Sequence, residues 1–200
     1  MIHYFGKVFM HRFAALVLLC FVVGCDSAGG KPSSAGSASS AAANGSVAGA
    51  AQPAKSDVKL DLKTVDEVKA LIASKKGKVV VMDAWSTYCD PCMKEFPGLV
   101  ALHKKYGPEK LACISLCVNY VEGVTKVDEE VEPIMEFLTK MGATFDNVLA
   151  TETDELVYKK LDFPSVPAIF IYDRDGKLVK AFKTETTYAV VEKELEPLLK

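Results

Sequence analysis

The chain has 200 residues and a formal net charge of −2, and half of its residues are hydrophobic. From residue 57 onward, 20 lysines and arginines face 25 aspartates and glutamates, and Arg174 is the only arginine. That balance excludes a nucleic-acid binder working through a basic patch. It leaves residues 57–200 as one domain long enough for a real core.

In chain order, Lys7, His11 and Arg12 form a basic start, and the apolar run "FAALVLLCFVVG" leads to Cys25. About a dozen apolar residues are too few to cross roughly 30 Å of hydrocarbon, so this is read as a secretory signal over residues 1–24. "VVGC" resembles the lipobox of bacterial lipoproteins, which implies lipidation of Cys25 and loss of Cys20 with the signal. Residues 26–56 are almost all Ala, Gly and Ser and cannot bury enough apolar surface to fold. With Cys25 they make a tether, residues 25–56, spanning roughly 30 Å as a random coil.

The domain, residues 57–200, opens with "VKLDLK" (58–63), whose alternation suits an edge strand. "TVDEVKALIASKKG" predicts a helix, with Thr64 and Glu67 at capping-box spacing and Gly77 at its end. "KVVVMDAW" is an apolar run rich in valine, the pattern of a strand covered on both faces. "KEFPGLVALHKKYG" predicts a helix that Pro97 should kink. A second buried strand, "KLACISLCVN" (110–119), is followed by the helix "VDEEVEPIMEFLTKMG", whose acidic start is expected to be solvated. Then come a short strand "TFDNVLA", a short helix "TDELVYKKL", a hairpin "AIFIYDRDGKLVKAF" turning at "DRDGK", and a last helix "YAVVEKELEPLLK". Alternating strands and helices with a late hairpin imply an α/β fold, a mostly parallel sheet with an antiparallel edge.

Four cysteines fall in the domain. Cys113 and Cys117 sit in an apolar strand, where four residues cover roughly 13 Å. That distance is too long for a shared metal or a disulfide, so both are expected to be small core residues. Cys89 and Cys92, in "WSTYCDPCMKEFP", lie where a buried strand ends and a helix begins. A metal clip, a structural disulfide and a reversible redox pair all fit the spacing. A helix N-terminus favours the thiolate, which is the attacking species, and Pro91 suits a first helical turn, so the context points to a redox pair.

"VVVMDAWSTYCDPCMKEFP" resembles the active-site segment of the thioredoxin superfamily, and "SVPAIFIYDRDGK" resembles its proline loop and hairpin. The resemblance spans 57–200 and implies a thioredoxin-like fold, a central mixed sheet flanked by helices. The additional strand and helix between "CISLCVN" and "SVPAIF" resemble the insert of the membrane-anchored, TlpA-like branch of extracytoplasmic thiol-disulfide oxidoreductases. Some members of that branch reduce apocytochrome c. The resemblance makes Cys89 the exposed nucleophile, Cys92 the resolving thiol and Pro97 the helix-kinking proline. Pro167 becomes a cis-proline facing the disulfide, with Val166 offering backbone hydrogen bonds to an incoming peptide and Trp85 counted with them at the substrate-binding surface. Asp83, six residues before Cys89, takes the place of a buried carboxylate that accepts the Cys92 proton, and Glu122 in "CVNYVEG" is a second candidate for that role.

The sequence departs from these patterns in places. Tyr88 precedes Cys89 where thioredoxins usually have Trp, and many TlpA-like chains have Asn at the position of Asp83. Asp90 places a negative charge beside Cys89, which opposes its ionisation and favours a reducing pair. His103 is expected on the surface.

Together these features lead to an expected lipid-anchored, extracytoplasmic disulfide reductase facing the periplasm. No cofactor is expected beyond the Cys89–Cys92 disulfide, and no metal. The expected partners are exported protein thiols and disulfides, a membrane electron donor and the membrane through the lipid, with no nucleic acid. A disulfide oxidase or isomerase, and a copper chaperone using Cys89 and Cys92, stay open.

Overall fold

The computed structural model describes residues 57–200, so the expected signal, the lipidated Cys25 and the tether lie outside the described residues. Among the described residues, no helix is long and apolar enough to cross a membrane.

Strand β1 (Asp61–Lys63) leads to helix α1 (Val65–Ser74). Thr64 caps α1: its hydroxyl accepts from the Glu67 amide, and the Glu67 carboxylate accepts from the Thr64 amide at 2.7 Å. Such a cap contributes about 1 kcal/mol. The valine run becomes β2 (Val79–Trp85), with all seven residues buried. Helix α2 (Asp90–Lys110) follows, then β3 (Leu111–Cys117). The backbone keeps helical dihedrals through Pro97, and it breaks at Gly107, whose φ of 68° suits a residue without Cβ. Helix α3 (Val127–Met141), strand β4 (Asp146–Ala150) and helix α4 (Asp154–Leu161) lie between β3 and the closing hairpin. That hairpin is β5 (Ala168–Tyr172) and β6 (Leu178–Phe182), followed by α5 (Tyr188–Leu195).

The six strands form one sheet in the order β1-β4-β3-β2-β5-β6. From β1 to β2 the pairs are parallel, and β5 and β6 add an antiparallel edge. This is the expected α/β fold with a mixed sheet flanked by helices.

Alternation along β2 divides the core. Val80, Met82 and Ala84 join α1 and α4 in one apolar layer. Val79, Val81 and Trp85 join α2, α3 and α5 in the other. The two-residue period of a strand therefore places Asp83 on the α2–α5 side, a carboxylate inside an apolar layer. Cys89 and the start of α2 follow directly at the carboxyl end of β2, the most central strand that carries a site residue.

Candidate active site

Cys89 is the N-cap of α2 and Cys92 lies in its first turn. Their sulfurs are joined in a disulfide, with Cα atoms 5.3 Å apart, and Cys89 Sγ accepts a hydrogen bond from the Cys92 amide at 3.3 Å. Pro91 occupies the first turn, where a missing N–H costs nothing. The pair is asymmetric: Cys89 is half-buried, whereas Cys92 is 2% exposed. Of the two sulfurs, that of Cys89 is therefore the one nearer to solvent.

Below the pair is a small cavity of about 10 Å³, close to the lower limit for one water molecule. Asp83, Cys92, Glu95, Pro167, Glu185 and Tyr188 are among its lining residues. Asp83 is buried and accepts a 2.6 Å hydrogen bond at Oδ2 from the Tyr188 hydroxyl. Burial pushes the Asp83 carboxyl up from 3.8 to about 7, with the Tyr188 hydrogen bond acting in the opposite direction. Burial and the neighbouring carboxylate push the Tyr188 phenol well above its usual range, so it stays a donor. The Val166–Pro167 peptide is cis, and both residues are half-buried beside the pair.

A second polar cluster braces the loop before Cys89. Asn119, fully buried just after β3, accepts at Oδ1 from the Ser86 hydroxyl (2.8 Å), the Thr87 amide (3.0 Å) and the Cys117 thiol (3.1 Å). Its Nδ2 donates to Thr87 Oγ1 and to Glu130 Oε2, each at 2.6 Å. The Tyr88 hydroxyl donates to Glu130 Oε1 at 2.7 Å. Residues 86–88 are thus tied to β3 and α3 immediately before the nucleophile. Cys113 and Cys117 are free and buried. Burial pushes the Cys113 thiol up to about 12 and Cys117 higher still, so neither supplies a thiolate at neutral pH.

The sequence profile of the AhpC/TSA family matches residues 51–181. The chain belongs to the AhpC/TSA family. Among relatives of this AhpC/TSA member, the thiol-disulfide oxidoreductase ResA of Bacillus subtilis (strain 168) is 28% identical over 116 residues, covering 58% of this chain and 59% of ResA. The thioredoxin-like protein YneN of the same organism is 28% identical over 115 residues, covering 58% and 62%. The chain thus spans about three-fifths of the length of these curated relatives. A thiol-disulfide isomerase from Corynebacterium glutamicum superposes with a TM-score of 0.54 at 18% identity, covering 72% of this chain and 95% of that one. A thioredoxin-family thiol:disulfide interchange protein from Chlorobium tepidum TLS gives 0.51 at 19% identity, covering 64% and 84%. These superpositions show the thioredoxin-like fold anticipated from the sequence.

Within this AhpC/TSA domain, Cys89, Cys92, Asp83 and Pro167 gather at one place, and two expected residues do not join them. Trp85 is 0% exposed and packs against Phe96 and Phe137, with ring centroids 4.9 and 5.1 Å away. Alternation turns it inward with Val81, so it presents no surface to a substrate. Glu122 is exposed on the turn after β3 and is not among the residues lining the Cys92 cavity.

His103, expected on the surface, is half-buried edge-on to Phe145, and burial lowers its pKa. Glu130, expected in a solvated helix start, is buried. Tyr188, Glu185 and Glu95 line the cavity without having been expected there, and only Glu95 carries a local signal. Three positions after Cys92, helical spacing puts it on the same face, a signal present in the sequence.

Proposed function

We propose that this chain is an extracytoplasmic thiol-disulfide oxidoreductase that reduces disulfides of exported proteins, apocytochrome c among the candidate substrates. The observation that carries the proposal is the asymmetric pair at a helix N-terminus, with a buried carboxyl that titrates near pH 7 beneath its inner member. The names of the relatives ResA and YneN agree with that chemistry.

In the proposed cycle, the reduced Cys89 thiolate attacks a substrate disulfide. The substrate S–S bond breaks, one substrate thiolate leaves, and a Cys89–substrate mixed disulfide forms. Cys92 then gives its proton to Asp83, and its sulfur attacks Cys89 Sγ. The second substrate thiolate departs, leaving the Cys89–Cys92 disulfide seen here. Two electrons have moved to the substrate, and the pair itself is the only cofactor the cycle needs. Asp83 is the proton acceptor, in preference to Glu122, because it lines the cavity with Cys92. Exposed Tyr88, the cis Val166–Pro167 peptide and Cys89 frame the surface that receives the peptide.

The oxidised pair must be reduced again, and a membrane thiol donor fits a chain anchored by lipid at Cys25. The sequence from Lys7 to Cys25 supports that anchoring and a location facing the periplasm.

The test is Cys92→Ser in the full-length chain. It should accumulate disulfide-linked adducts with exported proteins through Cys89, visible on non-reducing gels and lost on adding dithiothreitol. Absence of adducts while Cys89 remains intact would sink the proposal.

A further inference from the structure

We propose that Tyr188 is a positioning residue for the redox pair: its phenol holds Asp83 by Oδ2 and leaves Oδ1 as the oxygen that takes the Cys92 proton. The inference rests on the oxidoreductase function proposed above and assigns the residue that controls its proton acceptor.

Three observations on α5 and α2 support it. Among the described residues, Tyr188 supplies the only side-chain hydrogen bond to Asp83, at 2.6 Å and to one oxygen. Tyr188 is buried at the first position of α5, and it reaches Asp83 across 105 positions of sequence, so the contact is made by the fold alone. Its ring lies flush on α2: a Cβ added at Gly98 would fall 2.4 Å from Tyr188 Cγ and Cδ2. Any side chain at position 98 pushes the ring away, so the active-site helix itself leaves room for this phenol.

The charged and titratable groups around Asp83 make the hydrogen bond matter. Cys92 and Glu95 face the cavity from α2, Glu185 from the segment before α5, and Tyr188 from α5. Cys113 of β3 and Glu95 both act on Tyr188. The cavity lining includes no lysine or arginine, so no cation there favours the Asp83 carboxylate. The phenol is its stabilising partner against burial.

In the resolving step the Cys92 S–H bond breaks and the proton bonds to Asp83 Oδ1. The electron pair left on sulfur forms the bond to Cys89 Sγ as the Cys89–substrate bond breaks, its pair leaving on the substrate sulfur. Without the phenol, the carboxyl holds its own proton to higher pH and is less available as acceptor at neutrality.

The test uses the full chain. Carbon-13 NMR follows the Asp83 carboxyl in the oxidised protein, and insulin reduction with dithiothreitol recycling gives the pH profile of kcat/KM. Tyr188→Phe keeps the ring and should move the Asp83 titration up by about one pH unit, with the rising limb of the activity profile moving by the same amount. Gly98→Ala, which keeps the phenol and displaces the ring, should move both in the same direction. In an Asp83→Asn background, Tyr188→Phe should leave the profile unmoved.

A lowered melting temperature with an unshifted Asp83 titration would mean Tyr188 only packs, and would overturn the inference. So would a shift of the activity profile that persists in Asp83→Asn. If the wild type fails to reduce insulin at any pH, the proposed function fails. The Asp83 titration still decides the linkage to Tyr188.

Discussion

Two buried carboxylates serve this site, and they are held in different ways. Asp83 enters from the sheet, has one hydrogen-bond donor on one oxygen among the described residues, and borders a cavity shared with Cys92. Glu130 enters from α3 and has a donor on each oxygen: Tyr88 on Oε1 and Asn119 on Oε2. The first arrangement leaves capacity to accept a proton; the second uses both oxygens to brace the loop before Cys89. Burial alone therefore does not mark the working carboxylate. In the proposed cycle, the unfilled acceptor beside Cys92 does.

Substitutions at the two positions should separate these roles. Asp83→Asn should have the larger effect. It should slow resolution of the mixed disulfide about 100-fold, the usual scale of a lost general base. It should also change stability in a pH-dependent way. The folded carboxyl titrates near 7 and the unfolded one near 3.8, so the unfolded state loses its proton first as pH rises. Folding is then opposed increasingly from about pH 4 to about pH 7, and the effect is constant above that. Asp83→Asn should thus match the wild type near pH 4 and be the more stable by a few kcal/mol above pH 7. That figure follows from about 1.4 kcal/mol for each pH unit separating the folded and unfolded titrations. Urea unfolding at both pH values checks this, and a destabilised variant at pH 8 would break the comparison.

Glu130→Ala should have the smaller effect. Removing the carboxylate leaves the Tyr88 hydroxyl without its acceptor and leaves buried Asn119 Nδ2 with Thr87 alone, a cost of about 1–3 kcal/mol. Urea unfolding should show the loss, and the pH midpoint of activity should stay in place. A midpoint that moves would erase the distinction between the two carboxylates.

The sequence made the sheet legible because its signals are local. Six apolar residues from Val79 to Trp85, broken only by Asp83, mark a covered strand, and Thr64 with Glu67 marks a helix start within one turn. The redox pair was legible for the same reason, lying at one strand–helix seam. What connects distant segments was not. No spacing rule links Asp83 to Tyr188, 105 residues away, or Tyr88 to Glu130, 42 residues away. Glu130 sits in an acidic helix start that composition assigns to solvent, and only the packing of α3 over Asn119 reverses that. Trp85 misled in another way, because aromatic character near a redox pair suggests binding. Alternation from Val81 put its ring in the core and was there to be applied.

The central claim is that the pair gives electrons away, and its reduction potential tests that most directly. The measurement is equilibration of the Cys89–Cys92 pair of the full-length chain with dithiothreitol or glutathione, with the thiol fraction read by alkylation. The predicted value lies below about −220 mV, on the side of reducing pairs. A value above about −150 mV would make the disulfide the working form and the protein an oxidase or isomerase, contradicting that claim.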